Sequence, residues 1–213
     1  LEFDSVLFGS SRRVKDSQTG LGDIILTTGL GWDKGNRHIA FQTSFFLPTG
    51  YYEKASVDVP GRQLTALSFG KNRAAILPVV SITNMNPSNG REFSASTGIT
   101  FSLRNDATDY KTAPEWHAEF AMLQHLKSGM AFGASGYAYY QLGEDSGAGA
   151  DSLAAATGAS SLKARVFGIG PILTYSTKRG DHSISAKFKY SHEFDARRRF
   201  EGDALQASIA IGF

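Results

Sequence analysis

Apolar and polar positions alternate along most of this chain. In residues 36–48, Ile39, Phe41, Thr43, Phe45 and Leu47 share one parity, and His38, Gln42 and Ser44 share the other. Residues 91–104 repeat the pattern, with Phe93, Ala95, Thr97, Ile99, Phe101 and Leu103 opposite Glu92, Ser94, Ser96, Thr100 and Ser102. Residues 182–194 do so again, with Ile184, Ala186, Phe188, Tyr190 and Phe194 against Ser185, Lys187, Lys189, Ser191 and Glu193. A period of two puts such sets on opposite faces of a β-strand. No stretch shows a comparable helical period, so the chain is all-β. The predicted strands are residues 1–9, 21–33, 36–48, 73–85, 91–104, 114–127, 129–142, 163–177, 181–194 and 203–213.

The connections alternate as well. Tight turns fall at 33–36, 86–90, 127–129 and 177–181, and long polar, Gly-rich segments at 10–20, 49–72, 105–113, 143–162 and 195–202. Short and long in strict alternation is the layout of a transmembrane antiparallel up-and-down β-barrel, with its tight turns on one side and longer loops on the other. Most of these strands have 11–14 residues, more than the ~5–6 usual in globular sheets and enough to cross a bilayer with tilt. Trp32, Phe45, Trp116, Phe132, Tyr140, Tyr175 and Phe194 sit near the ends of the outward rows, where interfacial girdles belong.

Composition sharpens this reading. The chain has 213 residues, read as one domain over 1–213. Hydrophobic residues make up 41%, yet the mean hydropathy is −0.21. The longest apolar run, Ala74 to Val80, has seven residues, well short of the ~20 a membrane helix needs. With no cysteine, disulfide scaffolds and thiolate metal sites are excluded. The net charge of +2 is spread along the chain, and the one dense cluster, Arg197, Arg198 and Arg199, is followed by Glu201 and Asp203. Nothing here forms a nucleic-acid stripe. The chain opens on Leu1 without a methionine, which fits a signal peptide already removed.

A soluble barrel or sandwich would also alternate. Its inward face, however, would be a dry core. Here one face collects Glu92, Arg104, Glu115, His117, Glu119, Lys187, Lys189 and Glu193 among many Gly, Ser and Thr. The last strand, LQASIAIGF, puts Leu205, Ala207, Ile209, Ile211 and Phe213 on a lipid-facing row and ends on the aromatic itself.

Three stretches invite chemistry. Pro78 and Pro171 lie inside predicted strands and face outward, with Leu77 and Val79 inward beside the first. Proline supplies no N–H to the ladder, and an unpaired carbonyl in lipid costs several kcal/mol. The alternatives are a lateral gate in the wall or a tolerated bulge. Glu115, His117 and Glu119 share one face of one strand. His117 there is either a general base or part of a lumen salt-bridge network with Lys187, Lys189 and Arg104. No serine sits in a nucleophile motif, and a carboxylate–histidine metal site is weaker still. Residues 143–162 carry Glu144, Asp145 and Asp151 without calcium-loop spacing, and read as a flexible loop.

Several stretches together resemble the outer-membrane channels named for the meta-pathway of phenol degradation. These are GLGDI around Asp23, LPTG (47–50), GKNRAAILPVVSITNMNP (70–87), NDATDY (105–110), PEWHAEF (114–120), GYAYYQL (136–142), RVFGIGP (165–171), KFKYSHEF (187–194) and RRFEGD (198–203). The resemblance implies a twelve-stranded barrel taking up hydrophobic molecules. The ten readable strands would then be its last ten, with N-terminal strands missing, or the protein departs from the family pattern and closes with ten. Its motif residues here are Asp23, Pro78, Asp109, Glu115, His117, Arg165, Pro171, Lys187, Glu193, Arg198, Gly202 and Asp203. None carries a catalytic role.

The expected function is passive uptake of small hydrophobic molecules, aromatic hydrocarbons or lipid-like compounds, by a bacterial outer-membrane channel. The alternative is an outer-membrane barrel enzyme with an inward His/Glu site. Lateral-gate candidates are Pro78, Pro171, Leu77 and Val79. The lumen and its constriction are assigned to Asp23, Phe46, Arg104, Glu115, His117, Glu119, Tyr137, Tyr139, Lys187, Lys189 and Glu193. No catalytic residue, metal or cofactor is expected. Expected partners are outer-membrane lipids and lipopolysaccharide, small hydrophobic solutes, and the barrel-assembly machinery through terminal Phe213. No nucleic acid is among them, and the barrel is taken as a monomer.

Overall fold

A computed structural model describes residues 2–5, 12–15, 19–54, 56–58, 63–65 and 68–213. Two short hairpins stand apart from the main sheet. One joins β1 (Glu2–Ser5) to β2 (Arg12–Lys15), and the other joins β5 (Ser56–Asp58) to β6 (Gln63–Thr65). The main sheet is antiparallel and contains β3 (Ile24–Lys34), β4 (Arg37–Leu47), β7 (Ala75–Asn86), β8 (Arg91–Ser102), β9 (Glu115–His125), β10 (Met130–Gln141), β11 (Arg165–Arg179), β12 (His182–Arg197) and β13 (Asp203–Gly212). The spatial order is β13-β12-β11-β10-β9-β8-β7-β4-β3, so each strand lies beside its neighbour along the chain.

The expected up-and-down layout therefore holds across nine strands, not ten, and among the described residues the sheet is not closed into a barrel. Among the described residues β13 pairs only with β12 and β3 only with β4. The tenth strand, expected over residues 1–9, instead supplies Glu2–Ser5 to a local hairpin with Arg12–Lys15. Residues 1 and 6–9 of that prediction lie outside the described residues. With no strand joining either edge, β3 is exposed along its whole length and β13 along nearly all of it.

A second departure is helix α1 (Ala148–Thr157), within the stretch read as a flexible loop. Its sequence, AGADSLAAAT, is rich in the best helix former but has no apolar stripe, so a search for periodicity passes over it. Gly158, at φ 61°, closes it in the left-handed conformation while Ala159 N–H reaches back to the Ala154 carbonyl at 2.9 Å. That is the Schellman arrangement.

Register confirms which residues share a face. Val80, Thr97, Ala118, Ala138, Phe167 and Phe194 are aligned across six strands from β7 to β12. Large apolar side chains on this face are exposed, Val80 and Phe132 each at 51% and Ile209 at 74%. The opposite face carries Ser96, Glu119, Tyr137, Lys189 and Gln206 around a cavity of about 610 Å3. Buried apolar residues among those described are only Val79, Ala113, Ala131, Ala150, Val166 and Ile172, and the largest fully buried side chain is Ser135. A soluble sandwich buries its large apolar residues. This sheet turns them outward as one continuous surface, far larger than a soluble monomer exposes.

Candidate functional site

The concave face is organised by tyrosines that donate to carboxylates. Near the loop end, the Tyr139 hydroxyl donates to Glu115 and the Tyr137 hydroxyl to Glu193. Each ring also carries a cation: Arg199 lies 4.2 Å from the Tyr139 centroid and Lys189 lies 5.7 Å from that of Tyr137. Tyr137 covers Gly168, where any Cβ would collide with the ring. Glu193 also accepts the Gly202 N–H at 3.1 Å, which ties the loop before β13 to the lumen wall. A smaller cavity of about 220 Å3 collects Asp23, Phe46, Lys71, Arg73, Thr100 and Glu115 at the same end.

This rearranges the expected salt-bridge network. Glu115 and Glu193 meet tyrosines, and Arg104 lies beyond the end of β8, paired with Asp109 of the following loop. His117 lies opposite Gly98, with its ring 3.1 Å from where a Cβ on that glycine would stand. Glu119, Lys187 and Lys189 line the larger cavity together. Among the described residues no group of three or more His, Asp or Glu is arranged to hold a metal. Arg199 lies in the connection between the predicted strands, where the run Arg197–Arg199 is the available signal, and Arg73 opens the predicted strand 73–85 but stands before β7 begins at Ala75. Near the turn end, Glu92 meets His125 at 2.7 Å and accepts the Ser94 hydroxyl at 2.7 Å, a pair no motif announced.

The two strand prolines interrupt the wall. Between β7 and β8 the pairing runs from Ile76–Phe101 to Val79–Gly98, omitting Leu77 and Pro78 without a change of register. Between β11 and β12 it runs from Ile169–His192 to Ile172–Lys189, omitting Gly170 and Pro171. On their other sides, Pro78 pairs with Thr43 and Pro171 with Ala134 without a break. Each missing N–H thus weakens a single seam. The backbones stay in contact there, since a Cβ on Gly98 would come within 2.7 Å of the Pro78 carbonyl oxygen and one on Gly170 would collide with that of Tyr190. Leu77 is half-buried and Val79 is buried beside the first seam.

Most loop motifs are explained by backbone cross-links. The Asp23 carboxylate accepts the Gly50 N–H at 2.9 Å and the Lys71 N–H at 2.8 Å, joining three motif segments at one point. Asp145 accepts the Ala113 N–H at 3.0 Å and the Gln141 side-chain amide at 2.6 Å, and Tyr110 donates to it. Burial, followed by that hydrogen bond, raises the Tyr110 hydroxyl far above its ordinary 10.0 and keeps it a donor. Asp109 accepts the Ala148 N–H at 2.9 Å and so caps α1 from another loop.

The bond from Ala148, and after it the one from Arg104, hold Asp109 below its ordinary 3.8. A carboxylate lowered in this way stabilises the folded loop at pH above its unfolded value, and that support is lost as pH falls through the folded value. Amide protection of Ala148, measured against an uncapped reference amide, is expected to fall as pH drops below about 4. Asp109→Asn should lose that pH dependence; an unchanged profile in the variant would refute the cap.

A model of the family described as "Putative MetA-pathway of phenol degradation" matches residues 1–209. No curated protein matches by sequence. Among solved structures, the chain is similar to the COG4313 outer membrane channel from Pseudomonas putida F1, with a TM-score of 0.63 at 13% identity over 91% of this chain. It spans 66% of that channel's length. At this identity the likeness establishes a shared fold.

Proposed function

Because the chain belongs to the MetA-pathway phenol-degradation family, we propose that it is a passive outer-membrane channel for small hydrophobic molecules, with aromatic hydrocarbons and lipid-like compounds as the candidate classes. The observation that carries this reading is the inverted distribution of side chains, with apolar residues exposed on one face and a polar cavity of about 610 Å3 on the other. A bilayer satisfies the first face and water the second. The loop end, which carries Asp23, Asp109 and α1, then faces outward, and the tight turns face the periplasm. A solute enters between the cross-linked loops and meets Phe46, Tyr137 and Tyr139 with their carboxylates and cations. From there it passes through the lumen or leaves sideways at the seams beside Pro78 and Pro171.

The test is transport into protein-containing liposomes. Toluene-sized aromatics are expected to equilibrate faster with the protein than without it, and no faster than in protein-free vesicles if the channel reading is wrong. Glu115 and His117 on one inward face keep a second reading, a barrel hydrolase acting at the membrane. In that case His117→Ala abolishes an activity on ester or peptide substrates while transport stays unchanged. If the variant and the parent hydrolyse nothing, that reading is dropped.

A further inference from the structure

The membrane-facing side of the wall has a feature that transport does not require. Across β7 to β12 it dips into an apolar groove of about 590 Å3. Ala95, Thr97, Ala118 and Ala138 make its floor, and Val80, Trp116, Phe120 and Phe167 are among the side chains that rise around it. Two contacts shape the walls. Trp116 is held over its neighbouring strand by a 2.9 Å bond from Nε1 to the Thr97 hydroxyl. The Phe120 ring lies across Gly136, where a Cβ would come within 2.6 Å of it. Phe167 and Phe194 stack at 5.9 Å and close the β11–β12 end.

Directly above that aromatic end the face becomes basic. Arg165 lies two residues from Phe167 and is in register with outward Tyr140. Asp195 follows Phe194 and lies between two guanidiniums, 2.6 Å from Arg165 and 4.0 Å from Arg197. Glu201 accepts the Ala196 N–H at 3.0 Å beside them, and with Arg198 three guanidiniums stand against two carboxylates at this end. The Arg197 side chain is 67% exposed and has no other ion-pair partner among the described residues. An apolar groove with a cationic rim, at the loop end of a membrane wall, is complementary to an anionic lipid: chain below, phosphate above.

We propose that this groove and rim form a seat for a phosphorylated, multiply acylated lipid of the outer leaflet, with the chemistry of lipopolysaccharide's lipid A. One acyl chain lies on the alanine floor, and a phosphate sits against the exposed Arg197. The small residues of the floor provide depth, because a larger side chain at Ala118 or Ala138 would level the surface. This inference rests on the membrane placement of the sheet and does not depend on transport.

The probe is bisphosphorylated hexa-acyl lipid A added to the detergent-solubilised full chain, with adduct retention read by native mass spectrometry. The same lipid without phosphates and phosphatidylethanolamine serve as the other arms. The expected result is preferential retention of the phosphorylated lipid. Arg197→Gln, an exposed change that leaves the fold intact, should weaken it roughly fivefold, the effect of one basic residue at a lipid headgroup. Ala138→Leu should weaken retention of both lipid A forms, with heat-modifiable gel migration confirming the folded sheet. Equal retention of all three lipids, or of lipid A by both variants and the parent, would overturn the seat. Solute flux in vesicles free of lipid A is expected to be unaffected by either variant, so a failed seat leaves the channel reading standing, and the reverse holds too.

Discussion

Replacing Pro78 and Pro171 together by valine is expected to lower the sideways flux of a hydrophobic solute by about two- to tenfold while raising the thermal stability of the folded sheet. Each valine restores an N–H where a ladder lapses, between β7 and β8 in one case and β11 and β12 in the other. A ladder bond is worth about 0.5–1.5 kcal/mol net, and more in lipid, where an unpaired carbonyl has no water to turn to. Each seam gains one such bond, so parting either one costs about 0.5–1.5 kcal/mol more. Since 1.4 kcal/mol corresponds to a factor of ten in an equilibrium, flux through each seam falls by about two- to tenfold. The backbones already lie close at Gly98 and Gly170, so the new bonds can form without moving a strand. Uptake of a hydrophobic solute and of a small sugar should be compared in the same vesicles. A sheet that melts higher yet passes the hydrophobic solute as before would remove the lateral route and leave the through-lumen route.

Asp23→Ala should destabilise the loop end by about 3 kcal/mol, the scale of two hydrogen bonds to a charged acceptor. One carboxylate holds the Gly50 and Lys71 amides, and the surrounding backbone is too close for any substitute to fill in. A Cβ at Gly50 would lie 2.7 Å from the Asp23 nitrogen, and one at Gly70 would lie 2.7 Å from the Gly50 carbonyl oxygen. Gly70 N–H also donates to the Tyr51 carbonyl at 2.7 Å, and Tyr51 N–H to that of Leu21 at 2.9 Å. Without Asp23 the two amides face each other around an empty centre, and the connection from β4 to β7 loses its anchor. The temperature at which the heat-modifiable band disappears should drop, and protease should cut between Tyr51 and Phe69 at concentrations the parent resists. Asp23→Asn keeps one acceptor oxygen and should recover part of the loss. A melting temperature equal to the parent's in Asp23→Ala would show that the hairpins of this segment hold it without the carboxylate.

Both expectations show where the sequence can be read and where it cannot. The parity of Val80, Phe132 and Phe194 is visible at once, because an alternating strand leaves each residue only two directions. The prolines stand out for a similar reason, since the missing N–H is a property of the residue. Asp23 is legible in the sequence as a motif residue and a lumen candidate, not as a cross-link. Its work depends on Gly50 and Lys71, 27 and 48 residues away, and no local pattern encodes a partner at that distance. Arg104 was placed in the lumen by extending the alternation past Ser102, where the strand ends and Asp109 takes the guanidinium. Tyr137 and Tyr139 were read as narrowing the lumen. Their pairing with Glu193 and Glu115 required the register of β9 through β12.

The sequence by itself determined the nine strands of the main sheet, their up-and-down order and which side chains share the apolar face, since each follows from period-two alternation and turn chemistry within a few residues. Only the tertiary structure decided the rest. It sent Glu2–Ser5 into a hairpin and away from the sheet, left β3 and β13 at the edges of the sheet among the described residues, and formed α1 under a cap from Asp109. It also confined each proline's gap to one seam and set the outer groove beneath Arg165 and Arg197. These features come from contacts between segments far apart in the chain, and whether such contacts form depends on how the strands line up across the sheet.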